Sequence, residues 1–296
     1  KAQPYKQWLK ENTLRLENTM NLSVEAEALS DMSPEETKTY MKMFNVSFEE
    51  RDQVLRPLGE SGMEAVGSMG DDKPMAVLSE KIRSPYDYFR QQFAQVTNPP
   101  IDPLREAIVM SLETCLGREQ NVFEETADHA RRVVLTMPVL SASKFYRIRD
   151  NDEKGFEVAV IDLNYNPEEL SLDKAIVAVC DKAEAEVRAG KSIIILSDAN
   201  IEKGKLPIHA AMATGAVHHR LIDTGIRTDA NIIVETGTAR DPHHFAVLFG
   251  FGATAVYPYL AYRVLTDLCR TGEMLQDALQ SHENYRKGID KGLFKI

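Results

Sequence analysis

The sequence has few cysteines, and none of them form a close pair. Cys115, Cys180 and Cys269 are far apart in a chain of 296 residues. An odd number at such spacing argues against a disulfide framework, and no two of them have the spacing of a zinc or iron–sulfur site. We therefore expect no metal site in this segment and a reducing, cytoplasmic location.

Positive charge and long apolar runs are also scarce. The sequence has 35 Lys and Arg residues against 45 Asp and Glu residues, a net charge of −10. This is the wrong sign for a surface that follows nucleic-acid phosphates, so we expect no nucleic-acid partner. No apolar run approaches the roughly 20 residues of a membrane-spanning helix, and no signal-peptide pattern is present at Lys1, so we expect no membrane partner.

Several catalytic motifs are missing too. The sequence contains neither H-E-x-x-H nor a serine nucleophile elbow. Gly250-Phe251-Gly252 does not complete a dinucleotide fingerprint, because position 255 is Ala and the glycines follow a helix pattern instead of opening one. We interpret this segment as a tight turn between a helix and a strand.

The first 155 residues are predicted to be mainly helical with short strands. Ser33 and Pro34 are suited to begin one helix, and residues 48–58 predict another. The aromatic spacing of 86–93 predicts a helix that buries Tyr86, Phe89 and Phe93, and 102–116 predict a further helix. Residues 95–103 contain three prolines and therefore predict a rigid, extended connector.

Residues 156–296 predict a repeating β/α pattern. Strands are predicted at 156–161, 192–198, 231–235 and 253–257, and helices at 172–189, 208–224 and 243–249. Uninterrupted β-branched strands that alternate with helices indicate a parallel sheet covered on both faces. The order is compatible with a (β/α) barrel, part of one, or an open doubly wound sheet.

The most reactive residue types fall near the predicted strand ends. Glu235 and Asp198 end strands, and the pairs His218-His219 and His243-His244 lie on helices. A metal-dependent hydrolase built on the His pairs and Glu235 is one interpretation, and a flavin-dependent barrel oxidoreductase with phosphate at the Gly250 turn is another. We favour a third, in which Glu235, Arg240, Asp241, His243 and His244 form a buried polar network or bond across a domain interface.

Several segments together resemble one known family. They are EAVGSMGDD at 64–72, the whole of 84–117, IIVET at 232–236, ARDPHHFA at 239–246 and GFGATAVYPYL at 250–260. These segments resemble the large (alpha) subunit of bacterial glutamate synthase, and the resemblance covers nearly the whole chain. It identifies the chain as the central domain of that subunit. It also implies a barrel-related, TIM-like and incomplete parallel α/β fold, with 1–155 and 156–296 as two parts of one domain.

The resemblance implies a role without chemistry in this segment. In that family an amidotransferase domain hydrolyses glutamine with an N-terminal Cys, and ammonia passes through a channel to a domain with FMN and a 3Fe-4S cluster, where glutamate is made. The chain carries neither that Cys nor the cluster's cysteines. We therefore expect a non-catalytic domain without a cofactor, partnered by the two flanking domains of the same chain and by a small subunit.

Two further expectations concern the surface and the connector. The sequence lacks an initiating Met and stops in an amphipathic, basic segment, so we expect a fragment with exposed apolar patches where neighbouring domains would lie. Gln95, Val96, Thr97 and Asn98 are uncharged and precede two prolines, which suits the wall of an ammonia channel. We expect Thr97 to face the ammonia path.

Overall fold

The computed structural model describes residues 3–16, 33–64, 78–80, 82–89, 104, 110–151 and 153–296. Its first helices are α1 (Tyr5–Asn12) and α2 (Pro34–Met43). Helix α3 has three consecutive parts, an α-helical turn at Phe48–Glu50, a π-helical stretch at Arg51–Leu55 and an α-helical end at Arg56–Ser61. The helices predicted after Ser33 and over 48–58 are therefore confirmed.

Ser33 begins α2 as the sequence predicts. Its hydroxyl accepts the backbone N–H of Glu36 at 3.2 Å, and the Glu36 carboxylate accepts the Ser33 N–H at 2.8 Å. This reciprocal capping satisfies two helix donors that would otherwise lack partners. The bond from the Ser33 N–H, and next the Ser33 side chain, hold the pKa of Glu36 below its ordinary value, because they favour the charged carboxylate.

A small mixed sheet corrects one helix prediction. Strand β3 (Val133–Leu135) pairs parallel with β1 (Leu14–Arg15) and antiparallel with β2 (Thr114–Leu116). The helix predicted over 102–116 is therefore wrong at its carboxyl end, where residues 110–113 are also irregular. Pairing with the fully buried β3 outweighs the local helix pattern, since a strand partner distant in sequence is invisible to periodicity.

The aromatic segment after Ser84 differs from its prediction as well. Residues Pro85–Tyr88 form one turn of 3₁₀ helix, and Phe89 is extended. Tyr86 is fully buried as predicted, whereas Phe89 is 41% exposed and makes an edge contact with Phe251. Residues 90–103, which include Phe93 and the connector, lie outside the described residues.

The larger sheet is formed by four strands of the second part of the chain. It consists of β4 (Val158–Asp162), β6 (Ile193–Ser197), β8 (Asn231–Glu235) and β9 (Ala255–Tyr257). The strands lie side by side in that order, and each neighbouring pair is parallel. A parallel bridge from Val139 to Val256 lies beyond β9. Strands β5 (Asn164–Tyr165) and β7 (Leu206–Pro207) form a separate antiparallel pair.

Helices cover this sheet and join it to the first part of the chain. Helix α4 (Ala142–Arg149) packs near β4, α5 (Leu172–Arg188) against β4 and β6, and α6 (Ala210–Asp223) against β6 and β8. Helix α7 (Pro242–Gly250) follows β8, α8 (Tyr259–Arg270) packs on α2 and α3, and α9 (Ala278–Lys295) packs on α3.

The predicted strands and helices of 156–296 are confirmed within one or two residues at most ends. The parallel α/β class is thus correct, and the described residues of the first part form helices, short strands and irregular segments such as 117–126. Consecutive strand order is common to an open sheet and a segment of a barrel, so the relation to a barrel stays a prediction. No helix among the described residues is long and apolar enough to cross a membrane.

Helix α9 approaches α3 closely because glycines line the crossing. A Cβ on Gly59 of α3 would lie 2.7 Å from the Ser281 hydroxyl of α9, and one on Gly288 of α9 would lie 2.5 Å from Leu58 and 3.3 Å from the backbone of Gly62. By contrast, a Cβ on Gly250 at the end of α7 would meet nothing within 4 Å. Gly59 and Gly288 thus lack the space for a side chain that Gly250 has.

We predict that Gly288→Val lowers the free energy of unfolding by about 2 kcal/mol, because the added side chain must push α9 from α3. The matched control Gly250→Val should change it by less than about 0.7 kcal/mol, since only helix propensity is affected. Urea unfolding of the chain measures both. Equal losses at the two positions would show that the helix crossing does not constrain Gly288.

Candidate functional site

Polar side chains meet at the carboxyl edge of the larger sheet. Strands β6 and β8 are neighbours in register, Ser197 beside Glu235, so the residues that follow them lie together. Asp198 follows β6, and the loop at 236–240 follows β8. The carboxyl edge of a parallel sheet is where enzymes of this class carry their reactive groups, which makes it the first candidate site.

Asp198 is fully buried and held by hydrogen bonds. Its Oδ1 accepts the backbone N–H of Gly237 at 2.9 Å, and its Oδ2 lies 2.5 Å from the Thr236 hydroxyl. Burial raises the pKa of Asp198 to about 7, although both bonds oppose that rise and the nearby Glu235 adds to it. The carboxyl group therefore changes charge near neutral pH.

Asp198 is one end of a buried chain of hydroxyl groups. Thr236 Oγ1 lies 2.8 Å from Thr238 Oγ1, which lies 2.9 Å from the Tyr86 hydroxyl. Neutral Asp198 donates to Thr236, so the hydroxyl protons point toward Tyr86. Charged Asp198 accepts from Thr236 instead, and Tyr86 then donates to Thr238. One proton on Asp198 thus sets the direction of the whole chain.

Tyr86 lies at the centre of the candidate site. Its ring stacks on His244 with centroids 4.4 Å apart and meets the edge of His209 at 4.8 Å. Burial lowers the pKa of His209 to about 4 and also lowers the pKa of His244. Both imidazoles are therefore neutral at physiological pH, and the aromatic cluster carries no charge of its own.

The beginning of α7 positions the second His pair. Asp241 is the helix cap, and its carboxylate accepts the His244 N–H at 3.0 Å. His244 Nδ1 accepts the Arg240 N–H at 3.2 Å, which leaves the proton on Nε2, 3.5 Å from Asp241 Oδ2. His243 Nε2 lies 2.9 Å from the Tyr86 carbonyl. The imidazole rings of His243 and His244 thus both form hydrogen bonds within the protein.

Arg240 ties the strand-end loop to the first part of the chain. It is 5% exposed, and its Nε lies 2.5 Å from Glu50 on α3. A second guanidinium nitrogen donates to the Gly237 carbonyl at 2.9 Å, and the Tyr285 hydroxyl donates to the Arg240 carbonyl at 2.9 Å. Loss of one partner from such a buried pair is costly, because the other charge keeps its desolvation penalty.

Glu235 forms a separate contact at the end of β8. Its Oε2 accepts the Ser197 hydroxyl at 2.6 Å. Burial raises the pKa of Glu235, while that bond and the positive charges of Arg149 and Arg263 lower it. Glu235 as a whole is 9% exposed, so little of it is accessible to a substrate.

The first His pair lies elsewhere. His218 accepts from Arg227 Nε at 2.9 Å, and Arg227 also donates to the carbonyls of Ala230 and Gly252, before β8 and β9 begin. This places His218 at the amino edge of the sheet, opposite Asp198. No group of three or more His, Cys, Asp or Glu side chains within the described part of the chain is arranged to hold a metal ion.

The turn at Gly250 also belongs to the amino edge. The N–H groups of Phe251, Gly252 and Ala253 donate to the carbonyls of Val247, Phe249 and Leu248 on α7. Gly252 has φ +103°, and a Cβ there would lie 2.2 Å from His218. The backbone donors that a phosphate would need are thus used to end the helix.

The structure brings together part of the predicted network and adds members that sequence reasoning missed. The loop after β8 and the start of α7 bring together Arg240, Asp241, His243 and His244. Glu235 lies beside them at the end of β8, where it accepts the Ser197 hydroxyl. The sequence did not predict five further members of the site, which are Glu50, Tyr86, His209, Thr236 and Thr238. Of these, only Tyr86 was identified from the sequence at all, as a buried aromatic residue. The predicted channel residues Gln95, Val96, Thr97 and Asn98 lie outside the described residues.

Comparison with known proteins gives a consistent set of relatives. The family described as the glutamate synthase central domain matches residues 39–296. The glutamate synthase (NADPH) large chain of Azospirillum brasilense is 40% identical over 298 residues, which cover 99% of this chain and 19% of that relative. The chloroplastic ferredoxin-dependent glutamate synthase of Oryza sativa subsp. japonica is 36% identical, with 100% and 19% covered.

The glutamate synthase (NADH) of Schizosaccharomyces pombe is 35% identical over 305 residues, which cover 99% of this chain and 14% of that protein. The chain therefore spans less than a fifth of the length of these relatives.

The raised pKa of Asp198 predicts how stability depends on pH. The folded protein binds this proton more tightly than the unfolded chain, so stability falls as pH rises from the ordinary value of 3.8 to about 7. The loss amounts to roughly 4 kcal/mol at most. Asp198→Asn keeps the neutral hydrogen-bond pattern and should flatten this decline, leaving the variant at least as stable as the parent above about pH 7.

Urea midpoints at several pH values between 4 and 8 measure this effect. The control Asp223→Asn changes an exposed carboxylate and should retain the decline. A parallel fall for the parent and Asp198→Asn would contradict the assignment of the proton to Asp198.

Proposed function

This chain belongs to the glutamate synthase central domain family, and we propose that it is the non-catalytic central domain of a glutamate synthase large subunit. In this role it links a glutaminase domain to an FMN domain and helps to form the ammonia channel between them. The observation that carries the proposal is the family match over 39–296, together with the small share of each relative that the chain spans.

The geometry of the carboxyl edge supports a role without chemistry. Asp198 bonds to Thr236 and Gly237, Arg240 to Glu50, and Tyr86 to Thr238. These groups satisfy one another in the buried interior, whereas catalytic groups must present an atom to a substrate. We therefore assign them to holding the two parts of the domain in a fixed arrangement.

A fixed arrangement is what a channel between two sites requires. Ammonia released into bulk water becomes protonated and diffuses away, so the wall of its path must stay packed. Burial of Arg240 with Glu50 and the glycine-lined crossing of α3 and α9 both resist relative movement of the two parts. A barrel-related topology fits the same role, because its strands give a stiff support.

No second function is favoured by a specific observation. The two His pairs lie at opposite edges of the sheet, which separates the ligands that a metal-dependent hydrolase would need. The donors of the Gly250 turn bond to α7, which removes the support for an independent flavin-binding barrel.

We predict that the purified chain retains no flavin, since we place FMN and the 3Fe-4S cluster in other parts of the parent enzyme. The visible absorbance spectrum of the chain, recorded after purification and again after addition and removal of FMN, measures this. Flavin retained in stoichiometric amount would contradict the assignment.

The channel role is tested at Thr97 in the full-length enzyme. Thr97→Trp should leave glutamine hydrolysis and ammonia-dependent glutamate synthesis within about threefold of the parent, because neither reaction occurs in this domain. Coupling should be lost, so that hydrolysed glutamine exceeds the glutamate made from its nitrogen. Thr97→Ser keeps the size and the hydroxyl and should preserve coupling. A folded Thr97→Trp enzyme with a one-to-one ratio would show that the channel lies elsewhere.

A further inference from the structure

An apolar groove lies between helix α1 and the loop that precedes β3. It has a volume of about 400 Å³, and Tyr5, Trp8, Leu9, Val122, Thr126 and Ala130 line most of it. The side chains of one wall come from a single helix and those of the other from residues 122–130. The groove adjoins the small sheet, because α1 leads into β1 and residues 127–130 lead into β3.

The surface around the groove exposes more apolar area than a solvated loop requires. Phe123 is 93% exposed, Val122 82% and Leu9 57%. Adjacent exposed apolar residues that continue into a concave apolar surface are typical of an interaction site, whereas single exposed apolar residues are common. The adjacent exposed residues Val122 and Phe123 therefore indicate an interaction site beside the groove.

The groove is already formed by internal bonds. The Tyr5 hydroxyl donates to Glu125 at 2.6 Å and joins the two walls. Within the loop, Asn121 accepts the Phe123 N–H at 3.1 Å, and its amide donates to Glu124 at 2.9 Å. A partner would therefore meet an ordered surface and would not have to order the loop itself.

Two carboxylates make the lining of the groove negatively charged. Glu124 and Glu125 both line it, and the whole chain carries a net charge of −10. A segment that inserts an apolar side chain here is favoured if it carries Lys or Arg beside that side chain. Two copies of this chain would instead bring the same glutamates against each other, which argues against a homodimer through this surface.

We propose that this groove is the docking surface for another part of the same polypeptide, which inserts an apolar side chain flanked by a basic residue. The inference rests on the proposed function, in which this chain is one domain of a much longer protein. More than four fifths of each relative lies outside the matched region, so ample polypeptide exists to supply the segment. Helix α1 begins at Tyr5, so a domain joined before it needs no long linker to reach the groove.

The test uses the full-length enzyme with a photoreactive benzoylphenylalanine in place of Phe123. Illumination should link position 123 to a peptide of the same molecule that lies outside the region matching residues 1–296 and contains Lys or Arg. The same replacement at Leu275, which is 99% exposed on another part of the chain, is the control and should give a different cross-link or none. Mass spectrometry of mixed light and heavy isotope-labelled enzyme identifies the linked peptide and its molecule of origin.

A cross-link to a peptide within 1–296 would overturn the proposal, because a segment of this domain would then cover the groove. A light-to-heavy cross-link would overturn it in favour of a second copy, and the absence of any cross-link would show an uncovered surface. In a second variant, Glu124→Lys should lower the cross-link yield about fivefold, since it places like charges at the rim. An unchanged yield would contradict the predicted basic partner.

The outcome is separable from that of the channel experiment. The Thr97 variants report whether ammonia passes through this domain, whereas the cross-link reports which segment lies over the groove. A cross-link as predicted with coupling intact in Thr97→Trp would leave the docking surface standing and refute the channel role. The reverse pair of results would refute only the docking surface.

Discussion

The arrangement of this domain depends on the burial of one carboxyl group. Asp198 lies where β6 ends, and its carboxylate accepts from the Thr236 hydroxyl and the Gly237 N–H rather than from a cation. A carboxyl group without water needs such donors close by, so the loop after β8 must fold over it. That loop then carries Arg240 to Glu50 and Thr238 to Tyr86, which brings the first part of the chain onto the edge of the sheet.

The two parts of the chain consequently share their packing. The ring of Phe44, which follows α2, leaves no space for a side chain at Gly237 in the strand-end loop. Tyr40 on α2 meets Tyr259 on α8 edge to face, and Tyr86 lies between two histidines of the β/α part. Buried contacts at several points resist relative movement of the two parts, which is what the proposed role between two active sites needs.

Local sequence signals predicted much of this fold. Ser33 with Pro34 begins a helix, and the β-branched run at 231–235 is a strand, because capping chemistry and apolar runs act within a few residues. The helix predicted over 102–116 is wrong at 114–116, because β3 supplies a strand partner from elsewhere in the chain. Contacts between residues distant in sequence are likewise what the sequence could not predict at the site.

Glu235, Arg240, Asp241 and the pair His243-His244 could be identified as strand-end or helix-start polar residues. The role of Tyr86 at their centre could not, since its contacts with Thr238, His209 and His244 join residues more than 120 positions apart. Pairings of that kind follow from the tertiary structure and leave no local pattern.

The central claim is that the polar groups at the sheet edge support the structure and perform no chemistry. The most direct test is the steady-state turnover of full-length enzyme carrying Glu235→Gln, measured with glutamine and separately with ammonia as nitrogen source. Our account predicts both rates within about threefold of the parent, because the substituted amide can still accept the Ser197 hydroxyl. A loss of about a thousandfold in a folded enzyme, the effect expected for removal of a general acid or base, would contradict it.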